Sequence, residues 1–345
     1  MGIRRSAEEK KCSTSFASAS TFPRLQFRTL SDAAHPEAGR GIFLQNDKPI
    51  RGRVGALVAP YAFFVLYVLS RMTLSFAKAP LVELIAELRW IPQGSTPLAP
   101  APQQQPNAPT IFFGGTKQEE FYMRLGGELY KFDFNRSERI MPAGLPFVLH
   151  QPVFRFRSEA TNKTSVLYQV GYGLFSVHAI PPYHSWARFV PFVKTGIELL
   201  LKSRLDADAK QPFLQVTLRY IDFFGEELMM GMDIPSFLTK VFGISVGLPT
   251  AITKVVTSKE VKSLSTKFVL PISIGDLTIS VGDGQFGNQL GIVLDNTASS
   301  ASETPPDSDA IMKVFNSAYT VIHDIFLELT RSLYELMQPQ GDNGK

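Results

Sequence analysis

Ala-Glu-Leu-Arg-Trp at positions 86–90 and Thr-Leu-Arg-Tyr-Ile at positions 217–221 decide the fold of this chain, because they repeat one strand-like pattern. Each stretch is followed by a connection, a short helix, further strand-like runs and a long amphipathic helix. Self-similarity of this kind is typical of one supersecondary unit that is copied and packed against itself.

The repeat predicts an α+β protein made of two β-α-β-β-α units, residues 72–211 and 212–345, packed as one body. Strands that follow one another as hairpins favour antiparallel pairing, and amphipathic helices favour a layer over one face of the sheet. We therefore expect an antiparallel sheet covered by the two long helices. A pseudo-twofold axis is expected to relate the units and to place Arg89 and Arg219 at equivalent points.

Local signals place the elements within these units. Ser185 is expected to cap a helix, because a serine oxygen accepts bonds from free N–H groups at a helix start. A short helix is expected from Asp233 to Phe242, with Pro235 in its first turn, where proline fits. Alternation predicts one strand at residues 147–157 and another at 166–178. The Gly-rich run at 282–287 matches a dinucleotide-binding fingerprint in letters, but a strand follows it, so a hairpin is the better interpretation.

Composition describes an ordinary globular protein, with 44% hydrophobic and 19% charged residues in a chain of 345. The net charge of +4 is concentrated at the start, where residues 1–53 contain ten basic and five acidic residues. Residues 72–345 carry 24 basic and 26 acidic residues. The body is therefore close to neutral, and we expect it to bind no nucleic acid.

Residues 1–71 form a basic leader, expected to be disordered up to residue 53, followed by an apolar run from Val54 to Leu69. Three interpretations of this run remain open. It is a short membrane anchor, a helix packed on the body, or a segment outside the native protein if translation begins at Met72. We expect a cytoplasmic protein, or alternatively one anchored to the membrane through residues 54–69.

The chain shows no recognisable metal or cofactor site. Its single cysteine, Cys12, lies in the leader, and its five histidines have no metal-ligand spacing. A Gly-x-Ser-x-Gly run at 243–247 lacks the strand and helix that a nucleophile elbow requires. We therefore expect no cofactor.

The remaining candidate site is built around two arginines, each followed by an aromatic residue. Arg89 and Arg219 either make a repeated structural contact with a carboxylate or a helix end, or face a shared groove that binds an anion. The candidate binding residues are Arg89, Trp90, His184, Trp186, Arg219, Tyr220 and Asp222. The expected partner is a protein or a small anionic ligand.

The order of short motifs resembles a family of conserved hypothetical bacterial proteins that is distributed sporadically among genomes and has no assigned function. The matching pieces run from residues 79–89 through 183–189, 218–222 and 293–295 to a closing helix with His323 and Phe326. Asp222 stands where the family tends to have asparagine. The resemblance implies this fold and a bacterial cytoplasm, and it implies no reaction.

Two classes of function follow. The first is a non-enzymatic binding or regulatory module, because arginine and aromatic residues are suited to interfaces. The alternative is an enzyme of unrecognised type that uses a polar site formed by Arg89, Arg219, Asp222 and His184. Convergence of these four residues in one pocket would favour the enzyme.

Overall fold

The computed structural model describes residues 74–93, 111–112, 116–159, 165–181, 185–245, 247–258, 261 and 263–340. The leader, with its three interpretations, and His184 lie outside the described residues. Within the described part of the chain, no helix is long and apolar enough to cross a membrane.

The described segments contain thirteen strands and seven helices. The strands are β1 (Ser75–Phe76), β2 (Leu81–Arg89), β3 (Ile111–Phe112), β4 (Arg136–Arg139), β5 (Phe147–Val148), β6 (Pro152–Arg157), β7 (Val166–Gly171), β8 (Leu174–Ala179), β9 (Gln215–Phe224), β10 (Ser265–Ile272), β11 (Gly275–Phe286), β12 (Gln289–Ser300) and β13 (Pro339–Gln340). The helices are α1 (Thr116–Tyr130), α2 (Trp186–Ser203), α3 (Glu226–Met229), α4 (Ile234–Lys240), α5 (Thr250–Thr253), α6 (Ser308–Leu329) and α7 (Tyr334–Met337), with a 3-10 turn at Arg331–Leu333.

Nine strands form one antiparallel sheet in the order β10-β11-β12-β9-β2-β8-β7-β6-β4. The prediction of an α+β protein with a large antiparallel sheet is confirmed. β2 and β9 are neighbours inside the sheet, with β8, β7 and β6 on one side and β12, β11 and β10 on the other. The two stretches that opened the sequence analysis therefore lie on adjacent strands.

The three long helices α1, α2 and α6 cover one face of this sheet. Their buried apolar side chains, such as Leu125, Val193 and Phe315, all belong to the main core. The predicted cap at Ser185 is present, because its side chain accepts a bond from Arg188 N. The predicted short helix is α4, and the side chain of Asp233 caps it by accepting a bond from Ser236 N. None of the long helices that the structure describes packs on the opposite side of the sheet, which we call the helix-free face.

Strand register aligns polar side chains in rows across the helix-free face, since paired residues point to the same side. One row contains Arg136, Arg157, Leu167, His178, Ile85, Arg219 and Thr297. The neighbouring row contains Glu138, Arg155, Gln169, Ser176, Glu87, Thr217 and Ser299. Residues far apart in sequence become neighbours through these rows.

Two strand-like runs differ from their predictions. Residues 147–157 were expected to form one strand, but they divide into β5, which pairs with β3 in a separate sheet, and β6 of the large sheet, with His150 between them at a φ of +60°.

Residues 166–178 were also expected to form one strand, but β7 and β8 form a hairpin whose turn lies at Tyr172 and Gly173. Gly173 has a φ of +69°, and a β-carbon there would lie 2.3 Å from the carbonyl oxygen of Trp90. The continuous alternation concealed this turn, which needs glycine because only glycine tolerates both the dihedral angle and the contact.

Helix α1 contains two adjacent glycines in different surroundings, which gives a matched test of the packing. We expect Gly127→Ala to raise the free energy of unfolding by about 0.5–1 kcal/mol, because alanine favours helix and a β-carbon there meets open space. Gly126→Ala has the same helical gain but places its β-carbon 2.9 Å from the buried ring of Phe156. Urea unfolding should show it to be less stable than Gly127→Ala, and equal stability would contradict this packing.

Candidate functional site

Arg89 and Arg219 both lie on the helix-free face, and each guanidinium group meets a carboxylate. Arg89 Nε donates to Glu87 Oε1 over 2.6 Å. Arg219 donates twice to Asp295, from Nε to Oδ1 over 2.9 Å and from Nη2 to Oδ2 over 2.6 Å. The side chains of Arg89 and Arg219 are 39% and 38% exposed to solvent, so both arginines also face water.

The aromatic neighbours of these arginines lie on the opposite side of the sheet. Trp90 is buried in the core, where it packs edge-on against Phe121 and Phe213. Tyr220 also packs against the main core. Because successive residues of a strand point to opposite faces, an aromatic residue directly after each arginine cannot join it in one site.

Trp186 occupies a third position, at the start of α2. Its ring stacks on Tyr319 of α6 at 5.1 Å, and its Nε1 donates to Asn316 Oδ1 over 3.1 Å. It therefore joins the two long helices. The sequence-predicted binding residues are thus divided between the helix-free face, the core and the contact between helices.

Asp222 is a buried carboxyl group on the core side of β9. It is 2% exposed, and its Oδ2 has no hydrogen-bond partner among the described residues. Burial, with a smaller effect of the Asp295 charge, raises its pKa to about 8. Asn296 on the adjacent β12 is fully buried, and neither of its amide atoms has a described partner. The folded protein therefore holds Asp222 in its neutral form at pH 7.

Asp222→Asn tests this assignment through the pH dependence of stability. The folded carboxyl binds its proton up to about pH 8, whereas the unfolded one releases it near pH 4. Between these values the wild type should lose about 1.4 kcal/mol per pH unit from this group, because unfolding releases the proton. Urea unfolding at acid, neutral and alkaline pH should show that Asp222→Asn removes this loss.

The exposed Asp276→Asn serves as the matched control, and it should keep the wild-type pH dependence. An Asp222→Asn variant that is less stable than wild type at pH 9 would show that the ionised carboxylate is tolerated in the core.

The helix-free side of β7 and β8 is shielded from water. Leu167 and Leu174, which point to this side, are only 5% and 3% exposed. Arg155 on β6 contributes to the lowered pKa of Glu83 on β2, although two strands lie between them.

A hydrogen-bonded relay of Glu83, His178 and Ser176 lies on the helix-free face of β2 and β8. His178 Nδ1 and Glu83 Oε1 are 2.8 Å apart, as are His178 Nε2 and Ser176 Oγ. Burial works against the charged form of Glu83, but its hydrogen bond to His178 and nearby positive charges prevail, so its pKa is lowered. The carboxylate thus stays ionised and orients the imidazole ring.

The relay has the order of a Ser-His-acid triad but lacks two features that acyl transfer requires. Ser176 is 2% exposed, which leaves its hydroxyl little room to reach a substrate. β8 is an interior strand, so its backbone N–H groups bond to β2 or β7 and are not free to stabilise an oxyanion. We interpret the relay as a structural network that ties β2 to β8.

A fluorophosphonate probe should therefore leave Ser176 unlabelled, as seen by intact mass and peptide mapping.

His178→Ala should lower the free energy of unfolding by about 1–3 kcal/mol, because it leaves buried hydrogen-bonding groups without a partner. The stability that Glu83 contributes should be lost as the pH falls towards its lowered pKa. Ser280→Ala, on the same face, serves as a control, and labelling of Ser176 would contradict the structural role.

A cavity of about 460 Å³ lies elsewhere, at the end of β2 and β9. Its lining includes Val82, Phe223 and Phe286, together with Lys78 and Glu227, which form an ion pair over 2.8 Å. None of the sequence-predicted site residues lines it. A second carboxylate, from Glu226, gives its charged groups an excess of negative charge, so this cavity does not favour an anion.

Sequence reasoning missed the relay, because Glu83 and His178 are 95 positions apart. The spacing of Ser176 and His178 was the available signal, since residues two apart on a strand share a face. The carboxylate partner required the order of the strands. Arg155 and Arg157 were likewise seen only as alternating strand residues.

No family model matches this chain, and no curated protein matches it in sequence. The resemblance to the sporadically distributed bacterial family therefore stays a prediction. Fold and geometry describe an α+β protein whose large antiparallel sheet has one face packed under helices and one face that carries rows of polar side chains beside a small apolar cluster.

Proposed function

We propose that this chain is a non-enzymatic binding module that holds a small anionic ligand on its helix-free face, over β7 and β8. The observation that carries the proposal is the presence of arginines on β2 and β6, the two strands that flank β7 and β8. Arg89 and Arg155 contribute guanidinium groups that keep 39% and 24% of their side-chain exposure. Guanidinium forks suit carboxylate and phosphate oxygens.

A small ligand suits this surface better than a protein partner does. Arg155 and Glu83 place opposite charges on the two strands that flank β7 and β8. The surface is polar where Ser176 and His178 lie, whereas the core of a protein interface is usually depleted of charge and rich in aromatic residues. It therefore suits a ligand with its own polar groups.

The enzyme alternative loses its main support from the positions of its residues. Asp222 lies on the core side of β9, whereas Arg89 and Arg219 lie on the helix-free face. His184 lies outside the described residues. A catalytic site needs its groups within hydrogen-bond reach of one reacting atom, which an intervening sheet prevents for Asp222.

We also propose that residues 72–211 and 212–345 are two copies of one unit related by a pseudo-twofold axis. The strand order is the same on both sides of the central pair, β8-β7-β6 next to β2 and β12-β11-β10 next to β9. Glu87 and Thr217 face each other, and Arg89 and Arg219 each lie two residues beyond them. An experimental structure whose halves superpose without bringing Arg89 onto Arg219 would contradict the duplication.

Thermal unfolding with a panel of small anions tests the binding proposal. Phosphate, pyrophosphate, citrate and acetate are compared at constant ionic strength. A ligand at a hundred times its Kd adds about 2.7 kcal/mol, which should raise the melting temperature by about 5–10 °C. We expect at least one multivalent anion to do so, and Arg89→Gln to reduce the shift.

Arg188→Gln is the control, since it removes the same charge from an exposed position of α2. Its shift should equal that of the wild type. A panel in which no anion raises the melting temperature, or equal effects of Arg89→Gln and Arg188→Gln, would contradict the proposal.

A further inference from the structure

The large sheet ends in two edge strands of opposite character. At one edge, β4 reads Arg-Ser-Glu-Arg at positions 136–139, and charged side chains of this kind discourage another strand from pairing there. At the other edge, β10 exposes three consecutive apolar side chains: Phe268 is 38%, Val269 is 57% and Leu270 is 46% exposed. No strand in the described part of the chain pairs with the outer side of β10. This edge therefore combines an unpaired strand with exposed apolar side chains.

The pairing of β10 with β11 decides which backbone groups of β10 point outward. Asp283 N donates to Leu264 O over 3.0 Å, so Leu264 directs its backbone groups towards β11. In an antiparallel pair this direction alternates from residue to residue, and the register of β10 with β11 is regular. The N–H and C=O groups of Lys267 and Val269 therefore point away from the sheet. Pro271 is in the same phase, where its missing N–H costs the sheet no hydrogen bond.

β10 is apolar on both faces of the sheet. Register places Phe268 opposite Ile279 and Leu270 opposite Leu277, and these two partners belong to the main core. The core face therefore continues to the edge of the sheet, where Phe268 and Leu270 are exposed. Val269 points to the helix-free face. A strand paired with β10 would thus remove apolar surface from water on both faces at once.

We infer that the outer edge of β10 binds β10 of a second copy of this chain, antiparallel and about a twofold axis through Val269. Val269 of each copy lies opposite Val269 of the other and exchanges both of its backbone hydrogen bonds with it. Phe268 lies opposite Leu270 of the other copy, so every exposed apolar side chain of β10 faces another. The nine strands of each copy join into one continuous sheet, with both helical layers on the same side.

The residues of β10 favour this register over its neighbours. Moving the axis to Phe268 places Val269 opposite Lys267 and separates the apolar side chains. Moving it to Leu270 places Val269 opposite Pro271, which has no N–H to donate. The lysine and the proline thus disfavour other pairings, as they do at the edges of natural sheets, and leave the pairing centred on Val269.

A second copy also suits this edge electrostatically. Lys267 is the one charged residue of β10, and residues 72–345 contain 24 basic and 26 acidic residues. Two copies of this nearly neutral body approach each other with little net repulsion. The inference is independent of the proposed anion site, because β10 and β6 lie in opposite halves of the sheet.

Sedimentation equilibrium of the full chain tests the interface. The wild type should form a dimer. Val269→Lys places two lysines opposite each other on the axis and should raise the Kd of the dimer by about a hundredfold, because facing like charges oppose association. Leu290→Lys is the matched control, since it introduces the same charge at an exposed apolar residue of β12, away from the edge. It should leave the Kd of the dimer unchanged.

Two results of this measurement would overturn the inference. One is a wild type that stays monomeric at every concentration measured. The other is a dimer that Val269→Lys leaves as stable as the wild-type dimer, because such a dimer forms through another surface.

Cysteine cross-linking tests the register directly. In a Cys12→Ser background, Val269→Cys should form a disulfide between copies under mild oxidation, since the Cα atoms of directly opposed residues are about 5.5 Å apart, within disulfide range. Lys267→Cys is the control, because in this register the two residues at position 267 lie about 14 Å apart along the strands. Non-reducing gels measure the yield of cross-linked dimer. A yield from Lys267→Cys that equals or exceeds the yield from Val269→Cys would overturn the pairing.

Discussion

The pairing of β2 with β9 is the interaction on which the rest of the molecule depends. These two strands connect the halves of the nine-stranded sheet, and every other strand of that sheet adds outward from them. Their register, with Ile85 opposite Arg219 and Glu87 opposite Thr217, decides which side chains share a face. A slip of one residue would move the core side chains to the helix-free face and the polar side chains into the core. Burial of the core side chains under the helices therefore also fixes the positions of the polar side chains on the helix-free face.

The two faces of the sheet handle polar groups in different ways. On the helix-free face the charges of the central strands are paired, as in the Arg219–Asp295 contact and the relay of Glu83, His178 and Ser176. On the core face, Asp222 and Asn296 keep polar atoms without a described partner in an apolar setting. Asp222 avoids most of the desolvation cost by remaining protonated, because a neutral carboxyl is far less costly to bury than an ion.

The arginines of the helix-free face differ in how closely they are paired. Those on β2 and β9 are bound to carboxylates of their own half, Arg89 to Glu87 and Arg219 to Asp295. The contact of Arg155 on β6 with Glu138 on β4 is longer, at 3.5 Å. Between these strands, the side chains on the same face of β7 and β8 are buried, and charges beside a buried surface are screened less than fully exposed ones.

The sequence by itself determined the class of fold, because periodicity and capping are local properties that the chain carries in its letters. It predicted the α+β class, the cap at Ser185, the short helix after Asp233 and the hairpin at residues 282–287, and the structure contains them. Strand periodicity also separates Arg89 from its neighbour Trp90, because successive residues point to opposite faces. The sequence did not reveal the turn at Gly173, since unbroken alternation on both sides concealed one glycine with a left-handed conformation. Strand order was decided by the tertiary structure alone. It joins Glu83 to His178, because such a contact depends on which strands become neighbours, and no local pattern encodes that.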